Sequence, residues 1–487
     1  MRFGLEEHII KKINQVFEAN PKVDKAIVFG SRAKGNYRED SDIDIAIKGY
    51  DLSLDDVLKM SIAIEETGVG KKIDLIDYHG IKEEALIEHI DRVGVEMYSR
   101  WKEYALKNVI ETFIDYRGKT PTKTTTGIPL ITAKIVKNGR IHQPTEFIDQ
   151  DDYFNWMTRG FPNVNDIVLT TEAPLGEVAL IKDINVALAQ RIITLQTNKE
   201  LCNSIFLKYY IESPEGQYSL HSKASGSTVE GIKSAELKNI IVKLPPIKEQ
   251  LLISSILSSL DDKIDLLHRQ NKTLEKMAET LFRQWFVVEA EEEWEEVTMN
   301  DVAFINQRSI SKDFQYSTIE YLDTGSITEG RISEYQLIPL KNAPSRAQRL
   351  VKDNDIIYSL VRPIQRHYGL LSGTKSNTVV STGFCVITCK EGFCPYFIYL
   401  LLSLDENVEF FESIAEGSTS AYPSLRPADL GNFEFLHPPK DKLIKFTKIA
   451  SNFWEKINRN TKQMQSLTQL RDSLLPKLMS GEVRVEM

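Results

Sequence analysis

The chain has 487 residues, 42% hydrophobic and 26% charged, which is ordinary for a folded globular protein and long enough for about three domains. Its net charge of −9 argues against indiscriminate nucleic-acid binding but leaves room for a local basic face. No apolar run approaches the ~18 residues of a membrane span, and the opening MRFGLEEHIIKK lacks a signal peptide's apolar core, so a cytoplasmic setting without a membrane partner is expected.

In chain order, the first 100 residues carry 15 Lys and Arg against 20 Asp and Glu, more acidic than the rest. An amphipathic helix (Leu5, Ile9, Ile10, Ile13, Val16, Phe17) ends at Asn20-Pro21. KAIVFGSRAKG then reads as a short apolar strand turning at Gly30-Ser31 into a helix. In DSDIDIAIKG, Asp42 and Asp44 alternate with Ile43, Ile45 and Ile47, which places both carboxylates on one face of a strand. A helix from Leu54 to Ile64, a strand KIDLIDY with Asp74 and Asp77, a helix over 82–92 and a closing strand VGVEMY follow. Three carboxylates on adjacent strands beside a Gly-Ser turn suit Mg²⁺ and a triphosphate, because hard oxygens hold the cation and Gly30 admits close approach of phosphate to backbone N–H groups.

VFGSRAKGNYREDSDIDIAIKG resembles the minimal (MNT-type) nucleotidyltransferase domain of the DNA polymerase beta-like superfamily, a likeness that runs to about Tyr98. The resemblance implies that Gly30 and Ser31 form the triphosphate turn, with Arg32 and Lys34 as further phosphate contacts. It makes Asp42 and Asp44 metal ligands, and Asp74, in preference to Asp77, the third carboxylate and base. The implied cofactors are Mg²⁺ and a nucleoside triphosphate, with ATP the expected one.

The remainder is duplicated. Trp101 begins WKEYALKNVIETFIDYRGKTP, echoed 193 residues later from Trp294 by WEEVTMNDVAFINQRSISKDF. Residues 127–141 correspond to 321–332, 161–181 to 350–371 and 224–246 to 415–439. Each half reads as a strand-rich unit that ends in a Pro-Pro turn (Pro245-Pro246, Pro438-Pro439) and a long helix. In the first helix Ile253, Leu257, Leu260, Ile264, Leu267, Leu274, Ala278 and Leu281 form a heptad seam interrupted by Asn271. The second carries Ala450, Phe453, Ile457, Met464, Leu467 and Leu474, interrupted by Asn460. A period this long indicates two homologous domains rather than a solenoid, and two apolar stripes that cannot be buried alone predict an antiparallel helix pair. The cysteines Cys202, Cys385, Cys389 and Cys394 form no disulfide framework and read as reduced thiols rather than zinc ligands.

The order of these parts resembles the specificity (S) subunit of type I restriction–modification systems. The marks are DYRGKTP early in the first domain, a Gly-Ser-Thr segment before each long helix, and KEQ after the first Pro-Pro. The implied fold class is α/β (α+β), in five segments. Residues 1–99 form a nucleotidyltransferase-like domain with a mixed sheet, and 100–243 a first target-recognition domain. Residues 244–288 form a spacer helix, 289–436 a second recognition domain, and 437–487 a second spacer helix with a tail. The implied partners are double-stranded DNA with a bipartite site, methyltransferase (M) subunits and, in the full complex, restriction (R) subunits; the specificity part takes no cofactor. Candidate DNA contacts are Arg117, Lys119, Lys123, Lys134 and Arg140 in the first domain. Lys341, Arg346, Arg349, Arg362, Arg366, His367 and Tyr368 are the candidates in the second. The Arg362–Tyr368 stretch is favoured because Arg-Pro and His-Tyr-Gly suggest a turn between apolar strands.

The sequence holds no methyl-donor loop paired with an Asn-Pro-Pro-aromatic motif and no GxxxxGK[ST] loop, so DNA chemistry falls to partners. A competing reading makes nucleotide or AMP transfer to a protein or small acceptor the main activity, with the repeat as a targeting module. A third makes the first domain a binding module with an idle site.

Overall fold

The computed structural model describes residues 2–226, 229–418 and 423–485. It divides into two compact units, one made of Met1–Asp262 with Thr468–Met487 and the other of Lys263–Leu467.

The first unit opens with a four-stranded sheet in the order Ile73–Asp77, Ile43–Gly49, Val23–Phe29, Val95–Ser99. The Ile43 and Ile73 strands run parallel and the other neighbours antiparallel. Period-two alternation decides which face is core. Ile43, Ile45 and Ile47 pack with Ile13 and Phe17 of helix Glu7–Ala19 and with Met60 and Ile64 of helix Leu54–Glu65. Ala46, on the opposite face with Asp44, meets Phe29 and Ile90, the latter from helix Glu84–Val93. Helix Leu54–Glu65 starts on a capping box, Ser53 and Asp56 each satisfying the other's backbone N–H.

The two recognition-type regions repeat one topology. In the first, a sheet runs Leu175–Leu180, Ile167–Thr171, Ile192–Thr197, Ile110–Asp115; in the second, Tyr368–Leu370, Ile356–Ser359, Phe384–Cys389, Ala303–Ile305. A second sheet also recurs. Phe147–Ile148, Ile128–Ile131 and Ala187–Leu188 match Gln336–Pro339, Thr318–Leu322 and Thr378–Ser381, with the same antiparallel and parallel senses. The later copy adds an edge strand, Ala347–Leu350. Each region closes by pairing its first strand with its last: Lys102–Ala105 with Ile241–Leu244, and Glu295–Thr298 with Glu434–His437. The Gly-Ser-Thr segments are only partly visible, since Ser227, Thr228 and Thr419 lie outside the described residues.

Both long helices form, over Ile247–Arg283 and Lys440–Ser480, the second passing through Pro476. In the first unit Ile253 and Leu257 pack with Leu478 and Met479. In the second, Ile264 and Leu267 pack with Met464, and Phe282 and Ala278 with Phe446 and Ala450. Rising numbers on one helix meet falling numbers on the other, so the pair is antiparallel. The two seam asparagines meet: Asn460 Nδ2 donates to Asn271 Oδ1 at 2.8 Å, and both are buried. Cys202, Cys385 and Cys394 are buried thiols and Cys389 is half-buried; burial pushes Cys202, Cys385 and Cys389 up to about 12, keeping them protonated.

Candidate functional site

The carboxylate site is set by strand register. Asp44 lies opposite Phe29 in the antiparallel pair and opposite Asp74 in the parallel pair, so Asp44 and Asp74 stand side by side on one face, with Asp42 two residues earlier. Gly30 follows Phe29 directly. Its φ of +71° favours glycine, and a Cβ there would sit 2.5 Å from Asp44 Oδ2. The Gly-Ser turn and the Asp-Ile-Asp strand are thus a single steric unit.

Burial raises the Asp44 carboxyl above its ordinary range first, and the charges of Asp74 and Asp42 raise it further, while Lys72 opposes them. Lys72 is the residue the motif reading passed over. Its Nζ lies 2.9 Å from Asp74 Oδ2 and 3.4 Å from Asp42 Oδ2. The signal was present in KKIDLID, where Lys72 and Asp74 share a strand face by alternation. Among the described residues no group of three or more His, Cys, Asp or Glu side chains is placed so that it could hold a metal ion. By chemistry the donors suit Mg²⁺ all the same: they are hard acceptor oxygens whose mutual repulsion a dication relieves.

The other motif residues divide. Ser31 is half-buried at the start of helix Gly30–Lys34, and its carbonyl accepts the Gly35 and Asn36 N–H groups; Lys34 is exposed. Arg32, expected at phosphate, turns inward and is 3% exposed. Its guanidinium donates to the carbonyls of Phe3 at 2.8 Å and Ser41 at 2.6 Å, and stacks over Tyr37. A buried cation needs that many acceptors, and here they brace the segment leading into Asp42. Asp77 caps the following turn, accepting the His79 N–H at 3.1 Å.

The expected DNA contacts are placed unevenly. Lys119 is exposed in the loop after Ile110–Asp115, while Arg117 beside it is held by Asp115 at 2.6 Å and by the Ile232 carbonyl at 2.8 Å. Arg159, not singled out from the sequence, donates to the Asp115 and Arg117 carbonyls and braces the same loop. Lys123 and Lys134 both pair with Glu146, and Arg140 approaches Asp261. In the second region Lys341, Arg346 and Arg362 are exposed, whereas burial lowers the half-buried Arg349 guanidinium. Residues 362–368 do form a turn between strands, with Arg362 and Arg366 both left-handed. Three of its residues have partners within the protein. Tyr368 is buried and stacks on Tyr358 at 5.5 Å. His367 Nδ1 lies 2.6 Å from the Ile327 carbonyl, and Arg366 pairs with Asp405 at 2.7 Å. Apolar strands flanking a short turn pull its aromatic residues into the core.

Residues 11–103 match the family described as Polymerase beta, Nucleotidyltransferase, and residues 98–276 match the Type I restriction modification DNA specificity domain. The MjaIX specificity subunit of a type I restriction enzyme from Methanocaldococcus jannaschii is 28% identical over 365 residues, covering 67% of this chain and 79% of that protein. The crystal structure of a type I restriction–modification S subunit from M. genitalium is 16% identical, covers 80% of this chain and 96% of that one, and has a TM-score of 0.47. A chain from a toxin–antitoxin crystal structure with AMP-PNP is 24% identical and covers 20% of this chain and 74% of its own, with a TM-score of 0.17. On the two family matches, the chain carries a nucleotidyltransferase domain over residues 11–103 followed by a type I restriction–modification specificity domain over residues 98–276.

Proposed function

We propose that this chain, a polymerase beta-type nucleotidyltransferase domain joined to a type I restriction–modification specificity domain, is the DNA-reading subunit of a cytoplasmic restriction–modification complex. The observation that carries the reading is the duplicated sheet order, each copy closed by a strand pair that feeds a long helix. Two like readers suit the two halves of a bipartite DNA target, and the antiparallel helices set the distance between the halves. Exposed Lys119, Lys341, Arg346 and Arg362 are the side chains best placed to meet phosphate or guanine. Partner M subunits methylate the site and R subunits cut.

Expressed with its M subunits, the chain should yield one bipartite methylated motif by methylome sequencing. Exchanging residues 102–244 for another recognition domain should change one half-site only. A single continuous motif, or both halves changing together, would sink the reading.

In the first domain Gly30 and Ser31 would hold the triphosphate, and Asp42 and Asp44 would hold Mg²⁺. Asp74 completes the carboxylate set and takes the proton from the acceptor hydroxyl as its oxygen attacks the α-phosphate, the α–β phosphoanhydride bond breaks and pyrophosphate leaves. The Mg²⁺ ion, when bound, neutralises charge on the triphosphate. The full chain with labelled ATP and Mg²⁺ should label itself or a component of the complex. Asp42→Ala/Asp44→Ala should lower that by at least ~100-fold, as loss of charge stabilisation at a transferring group does. Absence of metal-dependent labelling in the wild type would leave the domain as a binding module.

A further inference from the structure

Lys72 is not among the residues of the Gly-Ser and Asp-x-Asp motifs. On the strand Ile73–Asp77 and the residues before it, side chains alternate, and Lys71 and Lys72 part company: Lys71 turns to the Glu39 carbonyl, Lys72 to the carboxylates. The Ile43 N–H donates to the Lys72 carbonyl at 3.0 Å, which anchors the lysine backbone beside the Asp42–Asp44 segment. From there one ammonium reaches two carboxylates, Asp42 just before the strand Ile43–Gly49 and Asp74 on the strand Ile73–Asp77. A lysine merely decorating an acidic surface would satisfy one partner and follow it. This one bridges the two strands that the site needs in fixed relation.

We propose that Lys72 is the resident counter-cation of these carboxylates, bridging Asp42 and Asp74 when no divalent cation is bound and competing with one for the same oxygens. The proposal rests on the nucleotidyl-transfer reading of this face. Like-charged carboxylates on neighbouring strands splay apart unless something cationic lies between them. The ammonium does this with one charge and a flexible four-carbon stem, so a dication with hard-oxygen preference displaces it. Displaced, the ammonium is free to swing on its stem into solvent, since the side chain is exposed. Lys72 thereby sets the cation concentration at which the carboxylates change partner.

The test is Mn²⁺ binding to the full-length chain, read as loss of the free-ion electron paramagnetic resonance signal and therefore independent of turnover. The Lys72 side chain is 63% exposed, so substitutions there leave the core untouched, which a melting curve verifies. Removing the competitor in Lys72→Ala and Lys72→Met should tighten Mn²⁺ binding on the order of 3- to 10-fold, the range expected when two exposed ion pairs are lost. Lys72→Arg should restore wild-type affinity. Unchanged or weaker binding in both neutral variants overturns the proposal. If that happens while Asp42→Ala/Asp44→Ala abolishes wild-type binding, only the Lys72 role fails. If wild-type binding ignores the double substitution, the nucleotidyl-transfer reading fails with it.

Discussion

Asp44 shows how a single side chain records the conflict between fold and chemistry. Its carboxyl is raised by burial and by two neighbouring aspartates, so the folded chain binds its proton more tightly than the unfolded chain does. The stability it contributes is greatest below the ordinary carboxylate value of 3.8 and falls as pH rises through the raised one. Asp44→Asn should therefore raise the melting temperature at neutral pH, by less than ~2 °C in a unit this large, and give no gain below that ordinary value. Melting curves across pH 3 to 7 check the sign; a loss at neutral pH would mean the carboxylate is a net stabiliser. Arg32 and Tyr368 teach the reverse lesson. Both looked like ligand-facing residues in sequence, next to a glycine turn and an arginine-rich turn. Their placement depends on distant partners, the Phe3 and Ser41 carbonyls for one and the Tyr358 ring for the other. No local pattern carries that information.

Among the elements, the helix pair was the most legible, because heptad spacing states burial directly. The sequence placed Asn271 and Asn460 half a heptad apart when the repeats are aligned. In an antiparallel pair that offset is what lets them meet, since the equivalents Leu267 and Met464 also pack together. Asn271 Nδ2 reaches toward the Ile457 carbonyl and Thr461 at the outer limit of hydrogen bonding. Either single change to leucine strands a buried amide, which costs ~1–3 kcal/mol. Asn271→Leu/Asn460→Leu should cost less than the sum of the singles and can exceed wild-type stability, as urea melts of the four proteins of a double-mutant cycle would reveal. Loosened register should then appear as methylation of sites with altered half-site spacing. The strands were legible where alternation was strict, as in Ile43–Ile47. The two-residue strands Val136–Lys137 and Arg140–Ile141 were not, because so short a stretch has no period to read.

At the scale of the molecule, the sequence suggests a seam at Ser99–Trp101 with almost no linker, and within the first unit that seam is packed. Arg100 and Glu249 form an ion pair at 2.8 Å, each side chain 8% exposed. Arg100 also donates to the Pro21 carbonyl, Trp101 Nε1 to Glu249, and Arg484 reaches both Pro21 and Asp24. Breaking such a pair leaves an uncompensated buried charge, so Arg100→Ala should destabilise the first unit by ~3–5 kcal/mol. Denaturant unfolding followed by tryptophan fluorescence measures it, and limited proteolysis should release a fragment of about 100 residues from the variant sooner than from the wild type. A wild type that already releases it at the same rate would show the seam to be weak. The duplicated halves were readable because both copies repeat their spacing, whereas nothing in either pattern announced that Arg100 would find Glu249.

The Arg100–Glu249 contact bears on how the first domain meets its acceptor. A catalyst on a leash samples a sphere of targets and relies on affinity to choose among them. A catalyst bolted at its root cannot roam, and works like a tool on a fixed mount. Asp24 and Pro21 are fastened to the same root, the former by Arg484 and the latter by Arg100. If the first domain transfers a nucleotide, as proposed above, its acceptor has to be delivered to that fixed mount, so selection falls to delivery rather than to search.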